Sequence, residues 1–323
     1  MKTIIVAVSV GIVTFGWLQA GRATDAGYPS RSIELTIAYA PGAGTDLATR
    51  MIAEKARKIL GQELVCVNKP GGGGRVPLTL ISNAKPDGYN VAAVADGPIV
   101  LTPHLEKVPY TPEDFTYISQ FGVLDFGIVT MANSPFQSLK EMLDFVQANP
   151  NELTIGTPGA GTSPHIAFEA IARMKQLKMK LVPFPGAQPA ITALLGGHVQ
   201  AATTSTSGYA TYLKAKTVRL IGMMMEERSR DYPDVPTLVE MGYPLALQSW
   251  YLFVGPKNMD KGVAEKLADV FKKAMDATDY TKFAKDLEMW TKTPLQGEAL
   301  RARVLDRYKK NGEVFKGIGM AIK

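Results

Sequence analysis

Cysteine is nearly absent from this chain. Its 323 residues include one, Cys66, which excludes an internal disulfide and leaves packed cores alone to hold the fold. Set in "LVCV", Cys66 is expected to be a buried strand residue and not a nucleophile. Histidine is almost as scarce: only His104, His165 and His198 occur. With no H-E-x-x-H and no paired Cys/His spacing, a metal centre has little to be built from, and no cofactor is expected. A basic stripe with stacking aromatics is missing too. Lys and Arg are interleaved with acids, as in "DLATRMIAEKARKIL", which argues against a nucleic-acid partner. There is no short-period repeat or low-complexity segment. Hydrophobic residues at 46% and charged residues at 20% supply ample core material and argue against disorder. A length beyond the usual single-core size predicts two domains.

One stretch lacks charge altogether. After Met1 and Lys2, "TIIVAVSVGIVTFGWLQA" runs from Thr3 to Ala20 and gives way to the small residues of "AGRATDAG". Residues 1–26 therefore read as a secretory signal peptide, cleaved after Ala23 or Ala26, so that the mature protein is exported. The alternative is a retained membrane anchor, because the run is nearly long enough to span. Removing it takes away Lys2, Arg22 and Asp25, so the formal charge falls from +6 to +5. That balance favours the approach of a small anion.

What the chain has instead is glycine loops. "PGAGT" stands at residues 41–45 and again at 158–162, each time shortly after "LTI". Before each copy lies a strand candidate, "IELTIAY" and "ELTIG". After each comes a helical pattern. The first is expected from Asp46 to Leu60, with Leu47, Met51, Ala56, Ile59 and Leu60 at near-helical spacing and Gly61 ending it; the second places Ala167, Ala170, Ile171 and Met174 on one face. "ELVCVNK", "GYNVAAVA", "VRLIGMMM" and "SWYLFVG" read as further strands. Strands separated by helices argue for α/β domains with largely parallel sheets.

Where a strand turns tightly into a helix, backbone N–H groups at the helix start lack partners and point outward. Their positive end favours an anion, by up to about 2 kcal/mol in partly buried geometry. Two such loops facing each other would clamp one anion between them, although both can also be read as plain tight turns. A nucleotide P-loop is not supported: Gly156 to Gly161 has the glycine spacing, but Thr162 and Ser163 follow without a lysine. "PGGGGR" at 70–75 reads as a structural turn. Ser163, His165 and Asp46 could be drawn as nucleophile, base and orienter, but no G-x-S-x-G elbow surrounds Ser163. Capping and hydrogen-bonding a bound carboxylate suit them better, and Asp46 is placed to fix its loop.

"YPSRSIELTIAYAPGAGTDLATRMIAEKARKILGQELVCVNKPGGGG", "AKPDGYNV", "VPYTPEDFTYISQ", "LKEMLDFVQANPNELTIGTPGAGTSPHIAFEAI", "VPFPGAQPAITALLGGHVQ" and "DVPTLVEMGYP" together resemble successive blocks of the Bug family, the periplasmic solute-binding proteins of tripartite tricarboxylate transporters. The resemblance implies an α/β, two-domain periplasmic-binding-protein fold of type II with the ligand cleft between its domains. It implies domain 1 from 27–125 plus 249–323 and domain 2 from 126–248, with crossings near Gly122 to Thr130 and Leu245 to Phe253. It further implies a monomer without catalytic activity, which captures a small organic anion, a di- or tricarboxylate or an aromatic acid, by domain closure and delivers it to the membrane subunits of the transporter. A periplasmic carboxylate sensor docking on a signalling protein is the alternative.

Carried onto this chain, the family's binding loops supply Tyr39, Pro41, Gly42, Ala43, Gly44, Thr45 and Asp46 from the first copy and Thr157, Gly161, Thr162, Ser163 and His165 from the second. Departures occur at Ala38, Ala40 and Ala43, at Phe184 within "FPG", and at Thr204 and Ser205 where relatives often carry an acid and an amide. Phe184, Thr204 and Ser205 are therefore added to the expected site. Without that acid an ammonium lacks a partner, so amino acids are disfavoured, while hydroxyls of Thr203, Thr204 and Ser205 could satisfy a carboxylate or hydroxyl. Tyr39, Phe184 and Trp250 read equally well as the aromatic middle of a cleft and as core.

Overall fold

The computed structural model describes residues 27–322 apart from 43, 230, 246, 287, 288 and 290–292. The proposed signal peptide and its cleavage positions, and Ala43, lie outside the described residues. From the N-terminus the chain forms β1 (Ile33–Ile37), α1 (Gly44–Leu60), β2 (Leu64–Asn68), α2 (Arg75–Ser82), β3 (Asn90–Ala95), the short α3 (Gly97–Val100) and α4 (Thr102–Leu105), and β4 (Phe115–Leu124). Then come β5 (Phe126–Met131), α5 (Leu139–Ala148), β6 (Thr154–Thr157), α6 (Ser163–Lys175), β7 (Lys180–Pro183), α7 (Ala187–Leu195), β8 (Ala201–Ser205), α8 (Thr206–Lys214) and β9 (Val218–Met223). The last stretch holds β10 (Ser249–Pro256), α9 (Lys261–Met275), α10 (Thr278–Asp286) and α11 (Gly297–Gly317).

These strands build two sheets, β2-β1-β3-β10-β4 and β7-β6-β8-β5-β9. Each begins with a parallel triad, because strand-helix-strand units return every strand in the same direction. The fourth strand, β10 in one sheet and β5 in the other, is antiparallel to both its neighbours. Both sheets are mixed, not largely parallel as the alternation of elements suggests. The reason is topological: only Asp125 separates β4 from β5, and β10 returns from the second sheet, so each sheet receives its fourth strand from the opposite side.

Burial explains the local choices. β1 and β3 have nearly every residue buried, as strands covered on both faces do. The face α1 turns inward carries Ala48, Ile52, Ala53 and Ala56 together with Thr45 and Thr49. Leu47 and Ile59, at near-helical spacing in the sequence, are instead 43% and 47% exposed. Small residues let α1 approach the sheet and α9 closely, so its buried stripe is rotated away from the larger side chains. α6 buries Ala167, Ala170 and Ile171 as the pattern indicates. Cys66 lies on the edge strand β2 and is only half-buried, which corrects its reading as a buried residue. Beyond the first sheet's surface, Phe253 stacks between Phe121 and Phe271 with ring centroids 4.4 Å from each.

The two crossings are clasped together. The Gln248 amide donates to Asp125 Oδ1 at 2.5 Å and its carbonyl oxygen accepts from Trp250 Nε1 at 3.2 Å. Asp96, just after β3, donates its backbone N–H to the Trp250 carbonyl at 2.8 Å and accepts the Trp250 N–H on Oδ1 at 2.9 Å. Arg307, from α11, donates to the Gln248 backbone carbonyl at 2.6 Å, pairs with Asp96 Oδ2 at 2.9 Å and lies 4.4 Å over the Trp250 ring. Trp250 is therefore buried core.

Burial pushes the Asp96 carboxyl above its ordinary value against the pull of Arg307. A raised value means the folded protein binds this proton more tightly than the unfolded chain, so stability from this group is lost as pH rises. Arg307→Met removes the pull and is expected to cost about 3–5 kcal/mol near pH 8 and less near pH 5, where Asp96 can take a proton. Urea denaturation at the two pH values measures the difference, and an equal loss at both would contradict the account.

Candidate functional site

The carboxyl ends of both parallel triads face one cavity of about 540 Å³, where α/β sheets generally place their ligands. Turns after β1 and β3, and the Gly71–Gly74 turn after β2, line it from the first sheet; turns after β6, β7 and β8 line it from the second. The crossings add Leu124, Phe126, Ser249 and Tyr251, and Met289 joins them. First-turn residues of four helices reach the wall: Gly44 and Thr45 of α1, Ser163 of α6, Ala187 and Gln188 of α7, and Ser207 and Gly208 of α8. First-turn N–H groups have no partner within their own helix. Among the described lining residues none carries a charged side chain.

Asp46 shows how the first loop is held. Its Oδ2 accepts the Gly42 N–H at 2.9 Å, and its Oδ1 accepts Arg50 Nε and Asn68 Nδ2 at 2.8 Å each. Asn68 also donates to the Tyr39 carbonyl at 2.9 Å. Gly42 has φ +81°, a left-handed conformation that glycine adopts without strain. Tyr39 turns its hydroxyl to accept the Ala95 N–H at 3.3 Å, and burial raises its phenol well above the ordinary value, which keeps the proton on. Burial raises Tyr251 as well, against a hydrogen bond with Thr45.

In the second loop the Thr162 hydroxyl donates to the Gly159 carbonyl at 2.7 Å. His165 is buried, with Nδ1 2.9 Å from Thr157 Oγ1 and Nε2 3.3 Å from Glu169 Oε1. The Ser163 hydroxyl pairs with Ser249, 3.2 Å away, and not with His165. Nucleophile, base and orienter are thus each committed elsewhere. The Ser163–Ser249 bond joins the two sheets' ends across the cavity. Gly97 abuts the same serine, since a Cβ there would stand 3.1 Å from Ser163 Oγ.

Of the residues expected from the sequence, Tyr39, Pro41, Gly42, Gly44, Thr45, Thr162, Ser163 and Ser205 line the cavity. Asp46, Thr157 and His165 stand behind it as supports, and Gly161 lies off the lining. Phe184 packs beneath the second sheet's turns. Thr204 donates to the Ala187 carbonyl at 3.3 Å, steadying the start of α7. The walls from Pro185 to Pro189 and at Ser207 and Gly208 stand a few residues beyond the expected Phe184 and Thr204; the signal was the strand-to-helix transition, which also occurs after β7 and β8. Gly73 was missed too. Its "PGGGGR" turn, expected to be structural, brings it to the wall, where a Cβ would stand 3.4 Å from the Ala160 carbonyl of the opposite loop. Among the described residues no cluster of three or more His, Cys, Asp or Glu could hold a metal, and no helix is long and apolar enough to cross a membrane.

The sequence model of the tripartite tricarboxylate transporter family receptor matches residues 48–320. The UPF0065 protein in the gbd 5' region of Cupriavidus necator is 36% identical over 297 residues, 91% of this chain and 89% of the relative. Among solved structures, the periplasmic binding protein BugD superposes with a TM-score of 0.78 at 26% identity, over 92% of this chain and all of BugD. A TctC solute-binding protein from Polaromonas gives 0.71 at 28% identity, covering 90% and 99% of the two chains.

Burial alone would raise the Asp46 carboxyl, but the bonds from Gly42, Asn68 and Arg50 outweigh it and hold it below its ordinary value. Its stabilisation is therefore present above the unfolded-chain value of 3.8 and lost as pH falls through the lower folded value. Asp46→Asn should cost about 1.5–3 kcal/mol at neutral pH and shrink the acid-range loss. Thermal unfolding from neutral to strongly acid pH checks both; an unchanged acid profile would remove Asp46 from that role.

Proposed function

This chain belongs to the tripartite tricarboxylate transporter receptor family, and from that premise we propose that it is a periplasmic receptor capturing a small organic carboxylate for the transporter's membrane subunits. The observation that carries the reading is the meeting of four helix N-termini on one cavity whose described lining residues carry no charged side chain. A carboxylate needs several donors when it leaves water, and the first-turn N–H groups supply them already oriented. Each helix start also contributes a positive partial charge toward the guest.

Capture follows from where those donors sit. We assign one lobe to residues 27–125 plus 249–323 and the other to 126–248, with the crossings at Asp125 and Gln248 as the hinge. α1 belongs to the first lobe, and α6, α7 and α8 to the second. A carboxylate spanning Thr45 and Ser163 bonds both lobes only when they are closed, so its binding energy shifts the population toward the closed form. Tyr39, Pro41, Gly42, Gly44, Thr45, Thr162, Ser163 and Ser205 are assigned to direct contact. Asp46, Thr157, His165 and Thr204 are assigned to holding the loops in position. The transporter would distinguish loaded from empty receptor by that closed shape.

Two measurements test this reading. In a thermal-shift screen of organic acids, the carboxylate that binds should raise the melting temperature, and its primary amide should not. X-ray scattering should show compaction with the acid and none with the amide. Gly73→Leu inserts a side chain toward the Ala160 carbonyl at a position with φ +64°, and should weaken capture about tenfold or more by obstructing closure. Equal shifts from acid and amide would defeat the carboxylate assignment, and undiminished affinity in the variant would show that this face does not close.

A further inference from the structure

Charge and surface divide the cavity unevenly. Its electropositive groups are backbone: four helix starts of about half a positive charge each give about +2 in all. Among the described lining residues there is no lysine, arginine or histidine to add to this, and no aspartate or glutamate to receive a cation. Its hydroxyls are largely committed. Ser163 pairs with Ser249, and Ser205 with Ser207 at 3.1 Å, leaving one spare O–H in each pair. Thr162 already donates to Gly159. Where the chain crosses between the sheets the lining turns to hydrocarbon and aromatic surface, with Leu124, Phe126, Tyr251 and Met289. Pro185 and Pro189, which have no N–H to offer, extend that surface along the α7 side.

From this division we propose that the guest is a mono- or dicarboxylic acid with a plain hydrocarbon body, polymethylene or aryl, seated on Leu124, Phe126, Tyr251 and Met289. The inference rests on the carboxylate reading above and adds the body and the charge limit. One or two carboxylates match the partial charge available. A third would be buried without compensation, at a cost of several kcal/mol. An ammonium would find no acid among the described lining residues. Ligand hydroxyls placed over Leu124 and Phe126 would give up water without gaining a partner.

Calorimetry on the purified protein, freed of any bound guest by unfolding and refolding, tests the proposal with the straight-chain diacids from butanedioate to octanedioate, with benzoate and benzene-1,4-dicarboxylate, and with tartrate, citrate and glutamate as polar-bodied counterparts. Affinity should rise about fourfold per added methylene until the cavity is filled. Citrate and glutamate should bind about a hundredfold more weakly than the best hydrocarbon diacid, since each buries an uncompensated charge. In Leu124→Ser the gain per methylene should drop below twofold, whereas Leu124→Met should preserve it. Tightest binding by citrate, tartrate or glutamate would overturn the assignment of the body while leaving carboxylate capture standing. If acids of no class bind, the carboxylate reading falls and this inference with it.

Discussion

Peptide N–H groups that their own helices cannot satisfy are what the rest of this structure is arranged around. α1, α6, α7 and α8 all begin at the cavity wall, and the strands before them end there because a parallel triad brings its carboxyl ends to one side. Such donors are fixed by the backbone, so they meet an anion without a flexible side chain having to be ordered. Their partial charges are also limited, unlike the full charge of a lysine or arginine. A wall built this way can select a guest by its number of charges and by the surface between them.

That arrangement depends on supports lying behind the wall. Asp46 gathers Gly42, Arg50 and Asn68, and Asn68 in turn holds the Tyr39 carbonyl, so one buried carboxylate sets the path of the first loop. His165 with Thr157, and Thr204 with Ala187, serve the second sheet's turns in the same manner. The clasp of Asp125, Gln248, Trp250, Asp96 and Arg307 ties both crossings to the end of β3. Gly97 follows directly after Asp96 and borders the cavity. Crossings and cavity wall are therefore adjacent in the chain as well as in space.

Several of these features were legible before any coordinates. The glycine loops, the strand and helix around each, and the buried face of α6 follow from spacing and turn chemistry, which are local. On α1 the near-helical spacing of Leu47 and Ile59 does not mark the buried face, because close packing against α9 favours Ala48, Ala53 and Ala56. Gly73 was passed over because its importance lies in what stands opposite, the Ala160 carbonyl some ninety residues away in sequence. Phe184 and Thr204 mark the right walls, but Phe184 packs against the second sheet's core and Thr204 holds the Ala187 carbonyl, while the first helical turns after them reach the cavity.

The sequence by itself determined the α/β class, the two glycine turns and the family, since each is written in short-range pattern and in blocks along the chain. Only the tertiary structure decided that the sheets are mixed, that four helix starts and not two converge, and that Ser163 meets Ser249 instead of His165. Those outcomes depend on how distant segments stack at the strand ends. Periodicity says which side of an element is apolar, and packing alone says what faces it.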